Sequence, residues 1–336
     1  MIGVGVVGYG YWGPNLVRNF DACENGRVAA VCDARQEKLD LVKKLYPSAR
    51  TYLRLEDMLD DADVQAVAVE TPVDTHYPLA MQCLEADRHV FVEKPLTSSV
   101  ATAESLVAEA RKRGRTLMVD HTFLYTGAVR KLRELVDAGE IGDLYEYDSV
   151  RVNLGLFQHD VNVVWDLAVH DLAIMDYLID ENPVAVSSCG ISNIPGQTEN
   201  TAYMTMFFDG PLIAHVHVSW LSPVKVRRTL LSGSKKMAIF DDLEPSEKIK
   251  LYDSGVTLAE DADSRYKMLI DYRTGDMWAP QIAPTEALAL ETQHFLECVE
   301  HGKTPLSDGA AGLRVVRILE AASKSIAARG APVDIV

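Results

Sequence analysis

Residues 1–13 read MIGVGVVGYGYWG, so a short apolar run leads directly into the glycine pattern G-x-G-x-x-G. Gly8 permits a tight turn, Gly10 lets the backbone approach a pyrophosphate, and Gly13 lets the following helix pack closely on the strand. The N-terminus of that helix offers unpaired N–H groups and a positive potential to phosphates. The sequence therefore predicts a dinucleotide site, whose contacts from this turn are Gly8, Gly10, Tyr11, Trp12 and Gly13.

An acidic residue follows the second predicted strand. Asp33 comes directly after the apolar run Val28–Cys32 and lies 20 positions beyond Gly13, where a carboxylate accepts hydrogen bonds from the hydroxyls of the adenosine ribose. Its charge repels a 2′-phosphate, which favours NAD over NADP. Arg35 weakens that preference, since a neighbouring guanidinium could bind the phosphate. The predicted cofactor is NAD, with Asp33 and Arg35 at its adenosine end.

The first third of the chain alternates short Val-rich runs with amphipathic segments up to about residue 121. Continuous apolar runs of this length suit strands that are covered on both faces, and strand alternating with helix is typical of a doubly wound parallel sheet. Ser98 or Ser99 is a predicted N-cap, and Gly114 is suited to end the same helix. Asp74 or Thr75 is predicted to cap the preceding helix. We expect an α/β Rossmann domain over residues 1–122.

The spacing of the apolar residues changes after a predicted helix at 126–138. Polar and apolar residues then alternate, as in AHVHV at 214–218, which indicates strands with one covered face. Helices are predicted after Pro284 and after Asp308. We expect residues 123–336 to form an α+β domain that binds the substrate and carries an open-faced, mostly antiparallel sheet.

Composition excludes several classes of protein. The 336 residues carry 33 basic and 49 acidic side chains, a net charge of −16, so the surface repels nucleic acid. No apolar run is long enough for a membrane span, and a cytoplasmic location is expected. Five cysteines without C-x-x-C spacing predict neither disulfides nor a zinc site. The pair His215 and His217 lacks a third ligand nearby, so no metal is predicted.

Four motifs in order resemble the Gfo/Idh/MocA family of sugar and inositol oxidoreductases. They are the glycine turn, Thr71-Pro72, Glu93-Lys94-Pro95 and Asp166-x-x-x-His170, and the likeness extends over essentially the whole chain. The resemblance implies that Glu93 faces the nicotinamide ribose and Lys94 the substrate hydroxyl. Further predicted cofactor contacts are Thr71, Pro72, His76, Lys94 and His121, of which His121 has an equally plausible structural role.

The same motifs indicate hydride-transfer chemistry. Oxidation of a secondary alcohol needs a base for the hydroxyl proton and a cation beside the developing alkoxide. Lys94 follows a parallel strand at its carboxyl end, where ligands of such sheets bind. Asp166 and His170 are four residues apart, so they share one helix face, and a carboxylate orients an imidazole and favours its protonated form. The predicted roles are acid/base for His170, alkoxide stabiliser for Lys94 and orienting partner for Asp166. The sequence leaves open whether Lys94 or His170 takes the proton.

The segments GYWGPN at 10–15, HTFLY at 121–125 and NLGLFQ at 153–158 resemble the branch of the family that acts on nucleotide-linked sugars. This likeness implies oxidation at C3 of UDP-N-acetylglucosamine, or of its uronic acid, by a self-associating dimer or tetramer. A downstream aminotransferase is a possible partner. Predicted substrate contacts are Lys94, Tyr125, Arg151, Asn153, Gln158, Asp166 and His170. Alternatives are reduction of a keto-deoxysugar nucleotide, an inositol or free-sugar dehydrogenase, an NAD-using glycosidase and a non-catalytic nucleotide sensor.

Overall fold

The computed structural model describes residues 1–155, 161–258 and 270–336. The chain divides into two units, Met1–Thr126 with Thr285–Glu320 and Gly127–Pro284 with Ala321–Val336. The first boundary lies four residues from the expected one at 122. The second differs from expectation, because residues 285–320 return to the first unit instead of continuing the second. Among the described residues, no helix combines the length and the apolar character needed to cross a membrane.

Six parallel strands form the sheet of the first unit, in the order β3-β2-β1-β4-β5-β6. This order contains two mononucleotide-binding halves, which meet where the strand order reverses between β1 and β4. The predicted doubly wound α/β domain is thereby confirmed. The strands are β1 Ile2–Val7, β2 Gly26–Cys32, β3 Arg50–Tyr52, β4 Ala66–Val69, β5 His89–Glu93 and β6 Leu117–Asp120. The helices are α1 Gly13–Ala22, α2 Gln36–Leu45, α3 Leu55–Leu59, α4 Val73–Glu85 and α5 Val100–Arg113.

Both ends of α5 follow local sequence signals. Ser99 caps α5 by accepting a hydrogen bond from the Thr102 N–H, and Gly114 ends the helix in the left-handed conformation at φ 61°. The start of α4 differs from the prediction, since Pro72 occupies the N-cap position. The Thr75 hydroxyl donates to the Pro72 carbonyl oxygen at 2.7 Å, so this side chain lies within the first turn.

Helix α8 (Ala287–His301) completes the core of the first unit. Phe295 packs edge-on against Phe20 of α1 and Phe91 of β5, with ring centroids 6.1 and 5.5 Å apart. All three rings are fully buried. Edge-to-face packing of this kind adds to the free energy gained from burying apolar area. This aromatic contact is one of those that hold residues 285–320 in the first unit.

The second unit is built on a mixed sheet. Its nine described strands lie in the order β16-β13-β12-β11-β7-β10-β9-β8-β17, and every neighbouring pair is antiparallel except β7 with β10. The expectation of a mostly antiparallel sheet is confirmed. The strands are β7 Leu144–Leu154, β8 Ala185–Ile191, β9 Thr201–Phe207, β10 Ile213–Ser219, β11 Leu221–Gly233, β12 Met237–Asp241, β13 Ile249–Tyr252, β16 Met277–Trp278 and β17 Val333–Asp334. A separate hairpin pairs β14 (Gly255–Leu258) with β15 (Ile270–Arg273).

Within the described part of this unit, three helical segments accompany the sheet, and the two faces of the sheet differ. They are α6 Gly127–Asp137, a π-helical turn Val164–Ala168 and α7 Val169–Leu178, while α9 Gly309–Ala327 begins in the first unit and ends in the second. Ala214, Val216 and Val218 of β10 are fully buried on one face, whereas His215 and His217 on the other face stay partly exposed. Tyr203 of β9 stacks on His217 there, with ring centroids 4.2 Å apart.

Candidate functional site

The glycine turn of the first unit has the shape that a pyrophosphate needs. Gly8 has φ 97°, and a Cβ on Gly13 would lie 2.3 Å from the carbonyl oxygen of Gly8, so only glycine fits either position. A Cβ on Gly10 would meet no described atom within 4 Å, so the backbone there is open to a ligand. No described side chain caps the N-terminus of α1. The neighbouring Tyr11 is 92% exposed. These residues fit the diphosphate of a dinucleotide.

Asp33 lies at the end of β2 with its carboxylate oxygens already engaged. Oδ2 accepts the Tyr9 N–H at 2.8 Å, and Oδ1 accepts the Arg35 backbone N–H at 2.9 Å. The Arg35 guanidinium adds bonds to both oxygens, at 3.0 and 3.1 Å. Burial opposes ionisation, but these bonds hold the pKa of Asp33 below its ordinary value. The Arg35 side chain is half exposed, so a ribose can displace it while Tyr9 keeps the carboxylate in place.

Three adjacent strands of the same sheet end in an acidic residue. Glu70 follows β4, while Glu93 and Asp120 close β5 and β6 and are register partners. Carboxylate oxygens of these three residues lie within 4.8 Å of one another, close enough to hold a metal ion, although no metal was predicted. Glu291 of α8 is fully buried beside Asp120 and Glu93. We refer to Glu70, Glu93, Asp120 and Glu291 as the carboxyl cluster.

Burial and mutual repulsion favour the protonated forms of Glu70, Glu93 and Glu291. Two unit negative charges this close repel by roughly 3 kcal/mol at an effective dielectric constant of about 20. Burial, together with the charge of Asp120, raises the pKa of Glu70 to about 9. Burial and Glu70 raise the pKa of Glu93, and burial and Asp120 raise that of Glu291. Lys94 opposes the shifts at Glu70 and Glu93 through its positive charge.

Lys94 and His121 follow Glu93 and Asp120 at the carboxyl edge of the sheet, as predicted from the strand ends. His121 is 2% exposed, and neither ring nitrogen has a hydrogen-bond partner among the described residues. Burial and the nearby Lys94 lower the pKa of His121 to about 3. The ring is therefore neutral, and Lys94 is the cation of this edge.

His76 joins two turns of the first unit. Its Nδ1 lies 2.9 Å from the Pro95 carbonyl oxygen, and its Nε2 lies 2.8 Å from the Thr71 carbonyl oxygen. The side chain is 1% exposed. Its position ties Thr71-Pro72 to the turn that carries Lys94, and the cofactor contact at His76 stays a prediction.

Tyr125 lies inside the first unit. Its ring is buried and tilted against His294 at 5.7 Å, and its hydroxyl lies 3.5 Å from the Ser307 Oγ. Burial raises the pKa of the phenol. The substrate contact at Tyr125 stays a prediction.

The second unit holds Asp166 and His170 at the junction of a π-helical turn with α7. Asn162 Oδ1 accepts the N–H groups of Val164 and Trp165, at 3.1 and 3.2 Å, and starts this turn. Asp166 Oδ2 accepts the indole N–H of Trp220 at 3.0 Å. His170 lies in the first turn of α7, which begins at Val169. Single π turns are frequent at functional sites, and here one displaces Asp166 from regular α geometry.

Arg151, a predicted substrate contact that stays a prediction, is paired inside the second unit. Its Nε and Nη2 donate to Asp171 at 2.6 and 3.2 Å, in an ion pair that is almost wholly buried. Ser149 also donates to Asp171, at 2.7 Å. The charge of Arg151 is thus neutralised inside the fold. Asn153, two residues further along β7, stays partly exposed, and Gln158 lies outside the described residues.

The residues that the sequence analysis missed are Glu70, Asp120, Glu291 and Trp220. A signal for two of them was present, because Val69-Glu70, Val92-Glu93 and Val119-Asp120 each end a strand with the same valine–acid pair. Glu291 had no such signal, since it belongs to a helix far along the chain. Trp220 joins β10 to β11, and nothing in its neighbourhood in the sequence indicates a partner at Asp166.

Comparison with known proteins gives matches over both units. Residues 2–121 match a family described as "Oxidoreductase family, NAD-binding Rossmann fold", and residues 129–239 match "GFO/IDH/MocA C-terminal domain". A scyllo-inositol 2-dehydrogenase (NAD(+)) of Bacillus subtilis is 26% identical, over 91% of this chain and 87% of that protein. A UDP-N-acetylglucosamine 3-dehydrogenase of Acidithiobacillus ferrooxidans is 25% identical, over 93% of each. A solved structure of that enzyme has a TM-score of 0.82 at 24% identity and covers 98% of this chain and 100% of its own.

Proposed function

The chain belongs to the Gfo/Idh/MocA family of NAD-binding oxidoreductases, and from that membership we propose that it oxidises the C3 hydroxyl of UDP-N-acetylglucosamine or a similar UDP-linked amino sugar. The family contains sugar and polyol dehydrogenases, and the cofactor of the first unit is NAD. The substrate proposal is supported by the likeness over 93% of both chains to a UDP-N-acetylglucosamine 3-dehydrogenase. The sequence strings at 10–15 and 121–125 support the same branch.

The dehydrogenase assignment rests on the position of Lys94 at the carboxyl end of β5. Bound NAD supplies the hydride acceptor. Lys94 extends from the strand end where ligands of such sheets bind, with neutral His121 and the carboxyl cluster as its neighbours. A single ammonium at this edge stabilises negative charge on an alkoxide oxygen. Glu93, adjacent in sequence, is proposed to face the nicotinamide ribose.

His170 is the proposed acid/base of the second unit. It accepts the proton of the substrate hydroxyl, and Asp166 orients the substrate or the imidazole. The indole N–H of Trp220 supports this role for Asp166, because it holds the carboxylate in one orientation. Asn153 is kept as a proposed sugar contact, since its amide stays partly exposed at the end of β7.

A second candidate is oxidation of an inositol. The scyllo-inositol 2-dehydrogenase is as similar to this chain as the nucleotide-sugar enzyme is, so sequence identity does not separate the two substrates. The proposed 3-keto product would be a substrate for an aminotransferase, and such an enzyme is the proposed downstream partner.

The experiment is a substrate panel that follows NADH absorbance. It contains UDP-N-acetylglucosamine, its uronate, UDP-glucose, free N-acetylglucosamine and myo-inositol, each with NAD, and an aminotransferase with glutamate to remove the ketone. We expect turnover of a UDP-linked amino sugar. Turnover of inositol or free sugar alone would reject the nucleotide-sugar assignment and retain the dehydrogenase. No net NADH with any substrate would favour a glycosidase or a sensor.

Substitutions test the proposed catalytic groups. We expect Lys94→Ala and His170→Ala each to lower kcat by about a hundredfold or more, since general acid–base groups contribute roughly 10²–10⁴. NAD binding should persist in both variants. Lys112→Ala and His301→Ala remove exposed side chains of the same types and should keep native turnover. Native kcat in both Lys94→Ala and His170→Ala would remove the proposed site.

A further inference from the structure

The carboxyl cluster is a geometric consequence of how three strands end. Because β4, β5 and β6 are parallel and in register, their terminal acids lie side by side, with oxygens within 4.8 Å of one another. Asp120 is 2% exposed, and Glu291 is fully buried behind it. Glu70 and Glu93 stay partly exposed. The cluster therefore has a closed side at α8 and an open side toward the edge of the sheet where ligands bind.

The cluster has more acidic groups than cations to balance them. Neither oxygen of Glu291 has a hydrogen-bond partner among the described residues, nor do Oδ2 of Asp120 and Oε2 of Glu70. Lys94 provides one positive charge, and His121 is neutral with both nitrogens unpaired within the described chain. The protonated forms of Glu70 and Glu291 are favoured, because several uncompensated charges in one buried place cost free energy.

Two histidines, a lysine and a tyrosine are the other titratable groups that face the cluster. Lys94 comes from the turn after β5 and His121 from the end of β6. His76 of α4 lies near Lys94, and burial lowers its pKa. Tyr125 faces Asp120 and Glu291, and burial raises its pKa. Thr122 donates its hydroxyl to Asp120 Oδ1 at 2.5 Å. The pKa shifts of these histidines and of the tyrosine all lead away from neutral pH. Proton exchange near neutral pH is therefore assigned to the carboxyl groups.

The strand order relates the cluster to the redox end of the cofactor. In a sheet of order 3-2-1-4-5-6 each half binds one mononucleotide, and Asp33 on β2 serves the adenosine half. The nicotinamide half is then the one formed by β4, β5 and β6, which ends in the cluster. The oxidised nicotinamide ring carries a positive charge, whereas the reduced ring carries none.

We propose that the carboxyl cluster is a proton store that responds to the redox state of the cofactor, releasing a proton when oxidised NAD binds and keeping it when NADH binds. The proton goes from a cluster carboxyl to solvent through the open side of the cluster, and no bond other than O–H breaks. The new carboxylate then compensates the charge of the oxidised ring. The proposal rests on the nicotinamide site alone and requires no particular sugar substrate.

Proton linkage gives the direction in which NAD affinity changes with pH. Because the oxidised ring favours ionised carboxyls, its binding tightens as pH rises, whereas binding of NADH does not. A linked release of about half a proton lowers the Kd of NAD roughly tenfold between about pH 6.5 and 8.5. NADH shares the adenosine, the ribose and the diphosphate, so it controls for all other titrating groups, and its Kd should change by about twofold or less.

The experiment is calorimetric titration of the native chain with NAD and with NADH, in two buffers of different ionisation enthalpy, without substrate and with a chelator. We expect release of about half a proton or more with NAD and little with NADH. Equal release with both cofactors, or none with NAD, would overturn the proposal. Release that appears only when Mg²⁺ replaces the chelator would assign the cluster to a metal ion and overturn it as well.

Substitutions of single cluster residues test which carboxyl groups release the proton when NAD binds. Glu70→Gln and Glu291→Gln keep the size of each side chain and remove one ionisable group, so each should reduce the release and flatten the pH dependence of NAD binding. Glu297→Gln is the matched control, since Glu297 lies exposed on the same helix as Glu291. Full release in both cluster variants, with their fold intact by circular dichroism, would contradict the assignment. Failure of the native chain to bind either cofactor would reject the dinucleotide site itself.

Discussion

The carboxylate of Asp33 accepts the Tyr9 N–H and forms an ion pair with Arg35. Substitution by asparagine removes the negative charge of this side chain and keeps one oxygen that accepts hydrogen bonds. We expect Asp33→Asn to weaken NAD binding about tenfold, the effect of losing one charge-assisted hydrogen bond. The preference for NAD over NADP should narrow, because repulsion of the 2′-phosphate is lost. Fluorescence titration with both cofactors measures the change.

Asp40→Asn on the exposed face of α2 is the control for this substitution and should leave both affinities unchanged. A native chain that binds NADP more tightly than NAD would mean that Arg35, not Asp33, sets the cofactor preference.

Glu70 links stability to pH. Its pKa lies at about 9 in the folded chain against 4.5 ordinarily, so between these values the folded state binds more protons than the unfolded chain. The free energy of unfolding therefore falls as pH rises through this window. We expect Glu70→Gln to gain about 2–3 kcal/mol in free energy of unfolding relative to the native chain as the pH rises from about 6 to 8. Denaturant unfolding at the two pH values measures it, with Glu297→Gln as control. A constant difference at both pH values would contradict the raised pKa.

At the scale of the elements, His76 connects the turns after β4 and β5. Removing the ring in His76→Ala frees the carbonyl oxygens of Thr71 and Pro95 and loosens the segment that carries Lys94. We expect a loss of about 1–3 kcal/mol in stability and a fall in kcat of about tenfold, with NAD affinity little changed. Denaturant unfolding and steady-state kinetics test both effects.

A purely structural role for His76 would move only the unfolding midpoint, so the kinetic measurement is decisive. His76→Gln, which retains a side-chain donor, should recover part of kcat. His89→Ala, at the start of β5 and away from Lys94, is the matched control. Native kcat in His76→Ala would show that the two turns are positioned without this contact.

For the whole molecule, the open face of the second sheet predicts self-association. Tyr203 is 49% exposed and stacked on His217, and exposed Ile191 and Ile213 lie on neighbouring strands of the same face. A broad apolar face of this kind is commonly buried against another subunit. We expect sedimentation at micromolar concentration to report a dimer or a tetramer, and Tyr203→Glu to shift it to the monomer.

Leu45→Glu places the same charge on an exposed apolar site of α2 and should leave the assembly intact. A single 37 kDa species for the native chain would reject this interpretation of the sheet face.

Local patterns in the sequence were sufficient for much of the fold. The apolar runs that became β1, β2, β4, β5 and β6, the glycine turn, the cap at Ser99 and the left-handed Gly114 all depend on residues within a few positions of one another. Backbone sterics and hydrophobic period act at that range, so the α/β order and a dinucleotide turn followed from the sequence alone. Short strands such as β3, with three residues, contain too few residues to establish a period.

The tertiary structure decided what depends on distant parts of the chain. Phe295 brings α8 into the first unit through contacts with Phe20 and Phe91, and the same helix places Glu291 behind Asp120. Arg151 was predicted as a substrate contact because it is a cation, but the fold pairs it with Asp171. Strand register and helix packing decide which side chains come into contact. Such contacts join residues that are far apart in the sequence, so no local sequence pattern predicts them. The sequence thus determined the residues available to the site, and the packed chain determined their charges and partners.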